Sequence, residues 1–167
     1  MSDSQEPVRL SGEELETWAA LATVLEWLPP ALDAQLQGDA DLTHFEYGIL
    51  FALGDAADRT LRMSVLAGFA NSSLSRLSRA VARLERKGWA QRAPDPDDGR
   101  YTLAALTALG AEKLVQATPG HVQTVRRVLG SLTGPQLRQL REISRRIMQA
   151  LGDEEGWQPS AEAGRSR

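Results

Sequence analysis

One stretch constrains this chain more than any other: residues 71–106, where a strongly patterned helix runs directly into a segment rich in turn formers. Leu74, Leu77, Val81 and Leu84 recur at steps of three, four and three, which places all four on one face of a helix over 73–87 and predicts that this face is buried. Arg76, Arg79, Arg83 and Arg86 repeat those steps two residues later, so a cationic stripe is expected on the far side, in solvent. Asn71, Ser72 and Ser73 offer oxygens to the orphan amides of the first turn, and Gly88 stands where a left-handed residue ends a helix.

Residues 89–92 read as a short strand, 94–99 as a turn built from Pro, Asp and Gly, and 100–106 as a returning strand. Helix and hairpin together make a wing beside a basic helix. Small hydroxyls at Ser72, Ser73, Ser75 and Ser78 leave the start of the helix slim and polar beside Arg76 and Arg79, a surface able to approach base edges in a major groove. Arg92 and Arg100 flank the hairpin, placed to meet phosphate or the adjacent minor groove. The stripe alone is equally compatible with an amphipathic surface helix bearing solvated arginines, and Asp95, Asp97 and Asp98 with ordinary turn formers.

The stretch resembles the winged helix-turn-helix of the MarR family of bacterial transcriptional regulators. The resemblance is carried by the Ser-rich helix start, by Arg83-Leu84-Glu85-Arg86-Lys87-Gly88 leading into Trp89 and Arg92, by Asp95-Pro96-Asp97-Asp98-Gly99-Arg100, and by Leu106-Thr107-Ala108-Leu109-Gly110. The last is similar to the family's Leu-Thr-x-x-Gly opening of the next helix. The resemblance implies that Asp98 supports the wing and that Arg100 reaches DNA. It is strong over residues 42–115 and rests outward on helix number and length.

A formal charge of −3 and a pI near 5.5 argue at first against a nucleic-acid partner, but the charge is unevenly distributed. Residues 1–60 sum to −10, 61–101 to +4 and the remainder to +3, so positive charge gathers at the helix and wing. With no cysteine, neither disulfides nor a thiol switch is available. No apolar run suits a membrane span and no secretory pattern opens the sequence, which predicts a cytoplasmic protein.

The spacing predicts a mainly α protein with a small β-hairpin, a winged helix-turn-helix flanked by N- and C-terminal helices. Residues 1–10 are expected to be disordered, 11–40 to form the first helix, 41–108 the winged region, 109–151 the C-terminal helices and 152–167 a disordered tail, in which Trp157 has no evident structural reason. Ser11 with Glu14 suggests a capping box, and Pro29-Pro30 should interrupt or kink the helix it opens. Gly38 to Asp41 read as a linker, Thr43 with Glu46 as a second capping box before a deeply buried helix, and Ser64 as the start of a short helix over 65–69. Pro119-Gly120 should break or bend the helix that follows the wing. Leu137, Leu140, Ile143, Ile147 and Leu151 line one side of the last helix. The resemblance implies that this stripe, with Leu15 and Trp18 of the first helix, pairs with a second subunit.

Two histidines, no cysteine, no phosphate-binding glycine loop and no metal-ligand spacing leave little for catalysis, so neither an enzyme, a cofactor nor a metal site is expected. The resemblance also implies a small aromatic or phenolic effector. Trp18, Trp27, His44, Phe45, Tyr47 and Phe51 are the candidates to line its site, with His44 able to orient a phenol or carboxylate; each can equally be an ordinary core aromatic or capping residue. The leading expectation is a homodimeric repressor on a palindromic operator. Ser75, Arg76, Ser78 and Arg79 would read bases, and Arg62, Arg83, Arg92 and Arg100 would hold phosphate or the minor groove. The alternative is a winged-helix module that binds protein instead.

Overall fold

The computed structural model describes residues 9–152. The expected loose ends, residues 1–10 and 152–167, fall almost wholly outside that range, as does Trp157. A long helix α1 (Gly12–Ala40) is followed by α2 (His44–Asp55), a single 3-10 turn (Ala57–Arg59), strand β1 (Thr60–Arg62), and α3 (Met63–Phe69). Next come α4 (Leu74–Arg86), the hairpin strands β2 (Ala90–Pro94) and β3 (Thr102–Leu106), then α5 (Ala108–Leu129) and α6 (Gly134–Ala150). This is a winged helix-turn-helix with long helices at both ends.

The sheet holds one strand more than the hairpin. Its order is β1-β3-β2, antiparallel throughout, with Leu61 opposite Ala104 and Arg92 opposite Ala104 from the other side. Three residues give no alternation to detect, which is why β1 escapes a reading by periodicity. Pro94 ends the edge strand β2, where its missing N–H costs the sheet nothing.

The two proline sites do not break their helices. α1 runs through Pro29 and Pro30, and α5 through Pro119. The carbonyls that lose a donor belong to Leu25, Glu26 and Val115, all on exposed positions, so water can satisfy them while packing holds the helices. α1 also continues through the expected linker at Gly38 and stops at Ala40, because its last turns bury Leu32, Leu36 and Ala40 and pack on α5. The first capping box is likewise absent: Ser11 caps the helix by position but makes no side-chain bond, and Gly12 enters at φ 55°.

The second capping box forms as the sequence predicts. The Thr43 hydroxyl accepts from the Glu46 N–H at 3.1 Å, and Glu46 accepts from the Thr43 N–H at 3.0 Å. Behind this cap, Leu36, Leu50, Leu53, Leu66, Val81 and Leu84 are fully buried where α1 to α4 converge. Each such side chain contributes about 1.5–3 kcal/mol by leaving water. α6 differs from the rest: it buries none of its residues, and its apolar stripe lies open.

Candidate nucleic-acid interface

α3 and α4 end in the same way. The Ser72 N–H donates to the Ala67 carbonyl and the Asn71 N–H to Gly68, with Asn71 left-handed at φ 40°. The Trp89 N–H likewise donates to Leu84 and the Gly88 N–H to Glu85, with Gly88 at φ 74°. Both are Schellman motifs, and they fix the turn that leads into α4 and the one that leads out to the wing. Ser73 caps α4, its hydroxyl accepting from the Arg76 N–H at 3.3 Å.

The buried face of α4 is Leu77, Ala80, Val81 and Leu84. Leu74, expected inside, is 54% exposed, because the first turn projects beyond the core and Ala80 takes its place in the stripe. The arginines also separate into groups. Arg79 and Arg86 are exposed, with no ion pair among the described residues. Arg83 is not a free solvent-facing cation: it donates to Glu46 at 2.7 Å, since a carboxylate only 3% exposed would otherwise be an unpaired buried charge. Burial alone would raise the Glu46 carboxyl, but the Thr43 N–H and the Arg83 guanidinium outweigh it and hold it below its ordinary value. Arg83 therefore anchors α4 to α2.

The wing is tied to the helix by similar chemistry. Glu85 accepts from the Arg92 backbone N–H and from its guanidinium, and Arg92 reaches on to Ser78 at 3.1 Å. Arg62 of β1 donates to Asp95 at 2.7 Å and lies over the Tyr101 ring at 4.5 Å. Asp95 is not merely a turn former; only 5% exposed, it also accepts from the Asp97 N–H and so braces the wing loop. At the tip, Asp98 grips Arg100 through both carboxylate oxygens, at 2.6 and 2.9 Å, which lowers the Asp98 carboxyl and raises the guanidinium. Arg100 itself remains 84% exposed. Leu74 and Ser78 of α4 share one groove with Arg92, Arg100 and Tyr101 of the wing, so helix and wing present a single cationic face.

A second feature lies behind that face. A cavity of about 630 Å³ opens between α2, α3 and α5, with walls that are mostly apolar. Four of the expected effector residues, His44, Phe45, Tyr47 and Phe51, line it. Trp18 and Trp27 do not: they stand on exposed positions of α1, Trp27 76% accessible, because the first half of that helix projects away from the core. The wall that the sequence reading missed is α5, which supplies Thr118, His121, Val122, Val125 and Arg126. Their spacing was the available signal, four of the five lying at 118, 121, 122 and 125 on one helical face. Tyr47 and Thr118 hydroxyls meet at 3.2 Å, and the His121 ring packs at 4.4 Å from Tyr47 and 5.6 Å from His44.

Both imidazoles carry a buried Nδ1 without a hydrogen-bond partner. Burial pulls both below their ordinary pKa; His44 pushes His121 lower still, whereas Asp33 of α1 opposes the shift at His44. Tyr47 faces the pair and Arg126 lines the same cavity. The unfolded chain takes up these protons at a higher pH than the folded one, so stability is lost as pH falls through about 6.5 and levels off once the folded histidines also charge. The melting temperature is expected to drop between pH 7.5 and 5.5, and the double variant His44→Gln, His121→Gln to flatten that drop. An unchanged slope in the variant would rule the pair out as its source.

The fold and this cationic face define a winged-helix DNA-binding protein. Residues 40–100 match the MarR family. The chain is similar to Sco3205 of Streptomyces coelicolor, a MarR family transcriptional regulator solved in complex with DNA, with 41% identity and a TM-score of 0.84 over 93% of this chain and 98% of that one. It is 30% identical over 110 residues to the transcriptional regulator HosA of Escherichia coli O111:H-, covering 66% of this chain and 80% of HosA. An uncharacterized HTH-type transcriptional regulator of Bacillus subtilis, YdcH, is 35% identical over 81 residues, 47% of this chain and 55% of YdcH, so that match spans about half the relative's length. The chain belongs to the MarR family of transcriptional regulators. It is thereby a DNA-binding regulator rather than an enzyme, and among its described residues no helix is long and apolar enough to cross a membrane.

Proposed function

We propose that the chain acts in the cytoplasm as a homodimeric repressor, binding a palindromic operator and released from it by a small aromatic ligand. The observation that carries this reading is the groove shared by α4 and the wing, where Ser78, Arg92 and Arg100 lie together, with Arg79 exposed on the same helix and in no ion pair among the described residues. In such a dimer each α4 enters a major groove with Ser75, Arg76, Ser78 and Arg79 toward the bases, and each wing brings Arg100 to the backbone or minor groove.

The open apolar faces support pairing. Leu140, Ile143 and Ile147 of α6, Leu151 just past its end, and Leu15 and Trp18 of α1 are exposed hydrophobic residues that a second copy would cover. Two-fold symmetry then places half-site centres roughly 10 bp apart. The cavity suits an aromatic acid or phenol: apolar walls receive the ring, and Arg126 with the histidines receives the polar end.

Selection of duplexes from a random pool by the purified protein tests the reading. A palindrome with that spacing is the expected result, together with a dimeric mass by light scattering. A folded monomer, or a pool with no enriched sequence, would count against it.

A further inference from the structure

Two features meet at Phe45. Its ring forms part of the cavity wall, and the guanidinium of Arg76 lies over that ring, 4.3 Å from its centroid. Arg76 is exposed on α4 and makes no ion pair among the described residues, so the aromatic face is what locates its charged end. One helical turn beyond Phe45, Gly48 borders the same cavity, and a Cβ there would meet nothing within 4 Å.

We propose that Phe45 positions Arg76 for DNA and makes its seating depend on what fills the cavity. This deepens the reading above and rests on it, since it takes α4 as the base-reading helix and the cavity as the effector site. A cation is drawn to the ring by the aromatic quadrupole, an attraction worth roughly two- to fivefold in an equilibrium at an exposed site. An arginine side chain has several rotatable bonds, and holding it in advance removes an ordering cost that DNA binding would otherwise meet. A group entering the cavity meets Phe45 at its wall and shifts the ring, so Arg76 loses its support. α4 itself stays in place, because Glu46 and Arg83 tie it to α2 independently.

A double-mutant cycle in the full chain, measured on the duplex enriched from the random pool, tests the first half. Arg76→Ala is expected to weaken binding roughly tenfold or more, as loss of a base contact does. Phe45→Leu should weaken it roughly two- to fivefold, and on the Arg76→Ala background should add nothing. Additive losses would overturn the role of Phe45. Wild-type binding by Arg76→Ala would instead overturn the assignment of Arg76 to the interface, a separate failure.

Gly48→Leu tests the second half as an occupant built into the chain. It should fold at least as stably as the parent, since leucine favours a helix over glycine. DNA affinity should nevertheless fall roughly two- to fivefold, and should fall no further in the Phe45→Leu background. The Arg76 Nε–H resonance gives a readout that a purely structural role would not move: ring-current shifted in the parent, released in both Phe45→Leu and Gly48→Leu. A folded Gly48→Leu protein with parental affinity and an unmoved Arg76 signal would refute the dependence on the cavity.

Discussion

Gly110→Ala is expected to destabilise the protein by about 3 kcal/mol or more, at or beyond the upper end for overpacking a tight site. A Cβ at this position would lie 1.9 Å from the Trp89 carbonyl oxygen and 2.8 Å from Leu106 Cδ1. The oxygen cannot retreat, since it already accepts from the Thr107 N–H at 3.2 Å. The Thr107 hydroxyl closes the same knot, donating to the Gly88 carbonyl at 2.6 Å and accepting from the Gly110 N–H at 3.0 Å. The start of α5 is thus pressed against the end of α4 and the start of β2 with no room for a methyl group. Gly54→Ala is the control: its Cβ would meet Leu114 Cδ2 at 2.8 Å, the far end of a side chain that can turn aside. Urea denaturation of both variants checks the contrast, and parental stability in Gly110→Ala would contradict the close approach.

The same knot gives a physical reason for two residues of Leu106-Thr107-Ala108-Leu109-Gly110, a run read by its resemblance to the family: Thr107 supplies the hydroxyl that bridges Gly88 and Gly110, and Gly110 leaves room for the Trp89 carbonyl. Local signals were read well elsewhere too, in the Thr43 and Glu46 capping box, in the left-handed Gly88, and in the alternation of helix and breakers that announced the wing. Some readings failed locally, such as the Ser11 and Glu14 capping box, which does not form, but others failed because the sequence hides the tertiary surroundings. Arg83 looked free because Glu46 lies 37 positions away and already had a local capping role to explain it. At Pro29, Pro30 and Pro119 the sequence left a break open beside a kink or bend, because it does not show which carbonyls face water; the helices continue through all three.

The candidate effector site was only half legible for a similar reason. His44, Phe45, Tyr47 and Phe51 sit close together in sequence and suggested a cluster, whereas the opposing wall comes from α5, more than sixty positions later. Trp18 and Trp27 were grouped with them on aromatic character alone. Aromatic character does not say whether a residue lies on the half of α1 that packs on α5 or on the half that extends past it.

Arg100→Glu is expected to abolish specific DNA binding, with a loss of about a hundredfold or more near physiological salt, while leaving the mass in solution and the melting temperature close to the parent. The parent arginine is the most open cation of the wing at 84% exposed, yet Asp98 fixes its orientation through both carboxylate oxygens. An exposed pair of this kind contributes little to folding, so its loss should barely move stability. At the DNA surface the balance is different. If the wing meets DNA as proposed, the reversal removes one charge facing phosphate, sets a carboxylate against the backbone, and leaves Asp98 with a like charge two residues away. The slope of log affinity against log salt should become shallower by at least about one. Asp98→Asn separates orientation from charge: it retains the cation but frees it, so affinity should fall by less and the salt slope should stay near the parent's. If Arg100→Glu binds the selected duplex as tightly as the parent across the salt range, the wing does not touch DNA, and α4 alone must carry the interface.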